Sequence, residues 1–222
     1  MIYILHLESS TKSCSVALSK DGELVACKEV LSADFSHSEN LTVFVEDVIK
    51  EAGISLKQLA AISVASGPGS YTGLRIGVST AKGFCYALDI PLISIDSLSS
   101  IAYLAKEKHE NETILAMFDA RRREVYSAIF SKGLQVVKEI SADILDDNTY
   151  KEFEPFVAVG DGVPKMLEEW NGRNFQFDES IFASARGQIQ LVYEKFKQQQ
   201  FENVAYFEPF YLKDFMITQS KK

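Results

Sequence analysis

No stretch of this sequence approaches the roughly 18 consecutive apolar residues needed to cross a bilayer, so a membrane span is not expected. Residues 1–10, MIYILHLESS, are apolar at first but carry neither the basic residues nor the small-residue cleavage site of an export signal. They read instead as a first strand. Cysteine is scarce. Cys14, Cys27 and Cys85 form no CxxC pair and no metal-ligand spacing, which points to reduced thiols in a cytoplasmic protein rather than a disulfide frame. Basic charge is also short, with 23 Lys and Arg against 31 Asp and Glu and a net charge of −8. Binding to nucleic acid depends on neutralising phosphates, so this balance argues against a free-standing nucleic-acid binder. Low-complexity tracts and long linkers are missing as well.

What is present suits a buried core: 222 residues, 46% hydrophobic and 24% charged. Residues 2–7 form an apolar run ending at Glu8. A polar turn then leads to an alternating strand over 14–18, and Asp21-Gly22 turns the chain into a third strand over 23–30. Ser36 and Glu39 make a capping box for a helix whose apolar face is Leu41, Phe44, Val45, Val48, Ile49 and Ala52, with Gly53 as its stop. Strands are expected over 60–65 and 91–95, and helices over 72–88 and from Asp96 or Ser97 to 108. The opening order then recurs about 110 residues later: a strand over 113–118 ending at Asp119, a basic turn, a strand over 124–130, a turn at Gly133 and a strand over 134–140. A further strand over 155–160 and helical segments near 163–170 and 184–199 follow. This doubled order predicts two α/β lobes, each with a mixed sheet and flanking helices. Their expected extents are 1–99, joined by the tail 205–222, and 100–204.

The segment Gly67-Pro68-Gly69-Ser70 lies between a strand and a helix, where backbone N–H groups at the helix start form a ready anion site. The known phosphate loops do not fit. No GKS or GKT ending follows, and Gly67, Gly69 and Gly73 are spaced one residue too long for the dinucleotide fingerprint. A tight turn needing glycine for steric reasons is the plainer reading. In the next helix Gly73, Gly77 and Ala81 lie four apart, with Gly83 and Ala87 beyond. A helical glycine costs about 1 kcal/mol against alanine, so close approach of another element must compensate. Packing against the 37–52 helix and docking of another subunit both meet that requirement.

The run GPGSYTGLRIGVSTAKG closely resembles the hallmark of the TsaB (YeaZ) family, with Tyr71 where the family usually has Phe. Weaker matches follow in order along nearly the whole chain: CSVAL at 14–18, His37-Ser38-Glu39, Pro91 with Ser97-Leu98, and Asp119-Ala120-Arg121. Glu124-Val125-Tyr126, Gly160-Asp161-Gly162, and Pro209 with Tyr211-Leu212 complete the series. The resemblance implies a two-lobed actin-like (ASKHA, ribonuclease H-like) fold. It also implies a non-catalytic dimerisation subunit that pairs with the catalytic subunit TsaD, joined by the ATPase TsaE, to put a threonylcarbamoyl group on the adenosine beside the anticodon of tRNA. On this reading tRNA is met only through the complex, and ATP or ADP belongs to the assembly rather than to this chain. The pairing face would be Leu41, Phe44, Val48, Gly73, Gly77 and Ala81, open also to a homodimer, and Gly77→Leu would block pairing while leaving the monomer folded.

Residues that once held nucleotide in the superfamily can be checked one by one. Glu8 stands at the end of the first strand, where relatives usually keep Asp; its longer side chain disturbs octahedral Mg²⁺ geometry, so Glu8 reads as a remnant. With Gly67, Gly69, Ser70, Asp119, Gly160, Asp161 and Gly162 it makes up a vestigial nucleotide or anion site. His37 matches the first of two metal-binding histidines in TsaD relatives, but the second position is Leu41, and one such histidine rarely holds a metal. His6 and His109 show no partner in the sequence. Arg121–Arg123 invite a phosphate or RNA contact, against the plainer reading of a solvated hairpin turn. An independent ATPase or kinase of the actin-like superfamily is the alternative function, and absence of HExxH excludes a metalloprotease.

Overall fold

The computed structural model describes residues 1–31 and 37–213, with the side chain of His37 not described. The Ser36 cap and the end of the tail therefore lie outside the described residues. Two five-stranded sheets repeat one plan. The first contains β1 (Tyr3–Glu8), β2 (Ser13–Lys20), β3 (Glu23–Leu31), β4 (Leu59–Gly67) and β5 (Leu92–Asp96) in the order β3-β2-β1-β4-β5. The second contains β6 (Ile114–Asp119), β7 (Glu124–Phe130), β8 (Val136–Ile144), β9 (Phe156–Val159) and β10 (Phe175–Phe177) in the order β10-β9-β6-β7-β8. In each, the first three strands form an antiparallel meander and the last two run parallel to the first. This is the expected two-lobed actin-like arrangement.

Central strands covered on both faces read as continuous apolar runs, and β1 shows why. Leu5 and Leu7 point into a cluster with Leu41, Val45 and Val48 of α1 (His37–Glu51) and Val78 and Ala81 of α2 (Tyr71–Leu88). Ile4 points the other way, packing with Ala61, Ile93, Ile95 and Val192 of α4 (Ile189–Lys197). The chain order places α4 in the second lobe. It covers the first sheet instead, because Leu191, Val192 and Phe196 complete the apolar layer beneath Ile4 and Ile93. One face of the second sheet is covered by α3 (Ser97–Lys108), capped by Asp96, whose carboxylate accepts the Ser99 N–H at 2.7 Å. The opposite face rests on fully buried Trp170 with Tyr150, Phe156 and Met166.

The helix expected near 163–170 is only a short 3₁₀ turn over Val163–Met166, and the small strand β10 has no signal in the sequence pattern. Among the described residues, no helix is long and apolar enough to cross a membrane.

Candidate functional site

Between β4 and α2 the chain passes through the Gly67–Ser70 junction, and its polar groups are engaged internally. The Gly67 N–H donates to Ser97 Oγ at 3.2 Å and the Ser70 N–H to the Ser10 carbonyl at 2.6 Å. Ser70 caps α2 by accepting the Gly73 N–H. The two glycines are demanded by crowding. At Gly67, with φ +108°, a Cβ would meet the Phe210 carbonyl at 2.7 Å, and at Gly69 it would meet the Ser10 carbonyl at 2.3 Å. The tail lies over this turn: the Phe210 N–H donates to the Ser66 carbonyl, and Lys82 Nζ to the carbonyls of Ala205 and Phe207. Tyr211 stacks beside Tyr71, and the Arg75 guanidinium sits 4.0 Å over the Tyr71 ring. At the expected anion cradle of Gly67, Gly69 and Ser70, the Gly67 and Ser70 N–H groups are committed to Ser97 and Ser10.

The small-residue stripe of α2 has a different neighbour from the one the resemblance implied. Gly73, Gly77 and Ala81 are buried against their own sheet. A Cβ on Gly77 would lie 2.2 Å from Ser9 Oγ and 3.5 Å from Val64, and Ser9 Oγ donates to the Gly73 carbonyl at 2.9 Å. Leu41 and Val48 are likewise fully buried, and Phe44 is half-buried against the same core. Five of these six residues are thus buried in the lobe's own core, and Phe44 is half-buried beside them. The outward faces are Thr72, Arg75, Ser79, Gly83, Tyr86 and Ala87 on α2, and Thr42, Val43, Glu46 and Asp47 on α1. Gly83 has nothing within 4 Å of where a Cβ would stand, and Tyr86 is 86% exposed. Between the two helices lies a groove of about 350 Å³ lined by Val45, Ile49, Ile54, Leu56 and Phe84 among others.

The other candidates divide into two groups. Asp119, Gly160, Asp161 and Gly162 meet at the end of β6. The Asp119 N–H donates to Asp161 Oδ1 at 2.9 Å, and Lys165 pairs with Asp119 at 2.6 Å. Gly160, at φ +102°, and Gly162 let their loop cross directly over Met117 and Phe118. Burial pushes the Asp161 carboxyl up. Gly160 and Asp161 line a cleft between the lobes with Thr11, Lys12, Leu31 and Phe118, but it encloses only about 150 Å³. That is below the roughly 300 Å³ at which ligand pockets begin. Among the described residues no group of three or more His, Cys, Asp or Glu side chains could hold a metal ion.

Glu8 belongs to the other group. It is fully buried; one carboxylate oxygen accepts the Ser10 N–H at 2.8 Å, and the other has no partner among the described residues. His6 does have partners, contrary to the sequence reading: its ring nitrogens lie 2.7 Å from Ser63 Oγ and 2.8 Å from Ser19 Oγ. Ser63 in turn donates to Gln188, which donates to the Leu7 carbonyl. His109 pairs with Asp178 at 2.9 Å, tying α3 to the segment that lines the cleft. Neither histidine has its partners close in sequence, so no local pattern could have revealed them.

Burial lowers the His6 pKa to about 3 and raises that of Glu8, and the two act on stability with opposite sign. Below its ordinary value of 6.5, His6 is protonated only in the unfolded chain, so its contribution is complete above pH 6.5 and is lost as pH falls towards 3. The folded chain holds the Glu8 proton to higher pH than the unfolded one, so its contribution is present below its ordinary 4.5 and is lost as pH rises through the raised value. Glu8→Gln keeps the carbonyl that accepts the Ser10 N–H and removes the titration. Its melting temperature relative to the parent should therefore rise between pH 5 and pH 8, as read by calorimetry across that range. A constant difference would show that burial does not raise the Glu8 pKa above its ordinary value.

The model of the family described as TsaD, tRNA N6-adenosine threonylcarbamoyltransferase, matches residues 31–214. The tRNA threonylcarbamoyladenosine biosynthesis protein TsaB of Haemophilus influenzae is 38% identical over 136 residues, which cover 61% of this chain and 54% of that protein. TsaB of Escherichia coli is 28% identical over 221 residues, covering 95% and 94%. The structure of YeaZ from Pseudomonas aeruginosa superposes with a TM-score of 0.82 at 25% identity, over 96% of this chain and all of that one. With the family model matched over most of its length and its two actin-like lobes, the chain belongs to the threonylcarbamoyltransferase family and, within it, to the TsaB (YeaZ) group.

Proposed function

We propose that this chain is the non-catalytic dimerisation subunit of a cytoplasmic tRNA N6-adenosine threonylcarbamoyltransferase, pairing with a TsaD-type catalytic subunit through the outward faces of α1 and α2. The observation that carries this reading is the outer face of α2. Ser79, Gly83 and Ala87 form a flat strip there, and Gly83 accepts the cost of a helical glycine with no neighbour in its own chain to explain it. A partner helix packed close to the axis supplies the missing reason, with Tyr86 and Val43 as apolar contacts beside it. The nucleotide-side residues support a scaffold role in the same way, since Glu8 is buried and the Gly67 and Ser70 N–H groups are used internally. TsaE and tRNA then join through the complex, as does any ATP or ADP, and a homodimer through the same strip is a competing state.

Deleting the gene and measuring threonylcarbamoyladenosine in bulk tRNA by mass spectrometry tests the role. The modification should fall to background and return with the gene supplied in trans. Undiminished modification would rule the role out. Mg²⁺-dependent ATP turnover by the purified chain alone would favour an independent hydrolase instead.

A further inference from the structure

The β6–β7 turn carries two arginines that the pairing role leaves unused. Arg121 (φ 69°) and Arg122 (φ 53°) are the one consecutive pair of non-glycine residues with positive φ among the described residues. The conformation is fixed: the Arg121 N–H donates to Asp119 Oδ1, the Glu124 N–H to the Arg121 carbonyl, and the Ala120 N–H to the Glu124 carbonyl. Glycine or asparagine suits such a backbone and arginine is strained in it, so the side chains themselves must have a use. Every other cation at this tip is matched. Lys165 pairs with Asp119, Lys213 with Glu124, and Arg123 with Glu169. The side chains of Arg121 and Arg122 are exposed and make no hydrogen bond or ion pair among the described residues, on a chain of net charge −8.

We propose that the Arg121–Arg122 turn is a contact to RNA phosphates that this chain contributes to the assembled complex; the inference rests on the pairing role above. Two unmatched guanidinium groups suit phosphate oxygens, which they meet in a two-pronged fashion. The turn from Asp119 to Glu124 offers no large apolar side chain. Ile144, opposite Glu124 on β8, is exposed beside it but is too little to form the apolar centre of a protein interface. The acidic remainder of the chain explains why such a contact would serve only beside a partner that supplies most of the RNA affinity.

The test replaces both arginines by glycine, which keeps the turn and relaxes its backbone. The melting temperature of Arg121→Gly/Arg122→Gly should be unchanged or higher, and its assembly with the catalytic subunit on size exclusion unchanged. Binding of a fluorescein-labelled unmodified tRNA transcript to the assembled complex should weaken by about 10-fold near 0.1 M salt. The slope of log affinity against log salt should drop by about 1.5–2, the share of two phosphate contacts. The Arg121→Lys/Arg122→Lys pair, keeping the charge, should retain most of that slope. Equal affinity and slope in an assembling glycine variant would overturn the inference. So would loss of assembly with RNA affinity intact, which would make the turn a protein contact. If the parent chain itself fails to assemble, the pairing role falls and this inference falls with it.

Discussion

Replacing Gly77 with leucine should destabilise the monomer itself rather than merely block its partner. The helix α2 lies so close to the end of β1 that a single added carbon would stand 2.2 Å from Ser9 Oγ and 3.4 Å from Ser9 Cβ, with Val64 at 3.5 Å behind. For alanine the conflict is with the end of one side chain. Ser9 can turn away, giving up its hydrogen bond to the Gly73 carbonyl. Leaving buried polar groups unpaired costs about 1–3 kcal/mol, and removal of a helical glycine returns about 1 kcal/mol. Leucine cannot be accommodated by a rotation of Ser9. Its branched end would have to displace Val64 or lever α2 off the sheet, adding a further overpacking cost of about 1–3 kcal/mol or more. Against a total stability of about 5–15 kcal/mol, a net loss of roughly 1–5 kcal/mol is a large share of what keeps the chain folded. The expected outcome is a protein melting about 2–20 °C lower, at about 2–4 °C per kcal/mol for a chain of this size. Gly77→Ala should fold with a modest loss. Circular dichroism melts of the two variants decide the matter: a Gly77→Leu protein with the parent's melting temperature would mean that α2 does not lie this close.

That result would reverse what the spacing of small residues suggests by itself, and the reason shows where the sequence stops being informative. Small residues four apart say that one helix face is flat, but not which layer lies on it. In α2 there are two such strips, Gly73-Gly77-Ala81 inward and Ser79-Gly83-Ala87 outward. Assigning them requires knowing that Ser9, beyond the end of β1, reaches across to the Gly73 carbonyl, a contact 64 residues away in sequence. The meanders were legible because alternation and the Asp21-Gly22 turn are local signals, and their recurrence at β6–β8 revealed the duplicated lobe. The side of the sheet that α4 covers was not legible, since Leu191, Val192 and Phe196 would suit either lobe's apolar face. Glu8 illustrates the same limit. Its position announced a lost metal ligand, whereas its burial and its single bond to Ser10 depend on how the Ser9–Ser13 turn folds back.

Gly83→Arg should do what Gly77→Leu cannot: leave the monomer intact and abolish pairing. Gly83 is exposed, carries an ordinary helical backbone and has no atom within 4 Å of an added Cβ, so the substitution meets no steric resistance in the chain. Exchanging a helical glycine for arginine gains up to about 1 kcal/mol, since arginine is among the good helix formers. The melting temperature should therefore hold or rise by about 2–4 °C. On the partner's side the consequence is large. Helices that pack across glycine bring their backbones close, and a long charged side chain at that point holds them apart and leaves a charge to be buried at the contact. A central interface position of this kind is worth at least about 2 kcal/mol, or roughly 30-fold in affinity, for a TsaD-type subunit measured by calorimetry. Gly83→Ala is the matched control: it adds the helix-propensity gain with one carbon of bulk and should bind far better than the arginine variant. Undiminished binding by Gly83→Arg would take the docking face away from α2. Retained folding with lost binding, opposite to the outcome at Gly77 only six residues earlier, would assign the inner strip to the chain's own core and the outer strip to its partner.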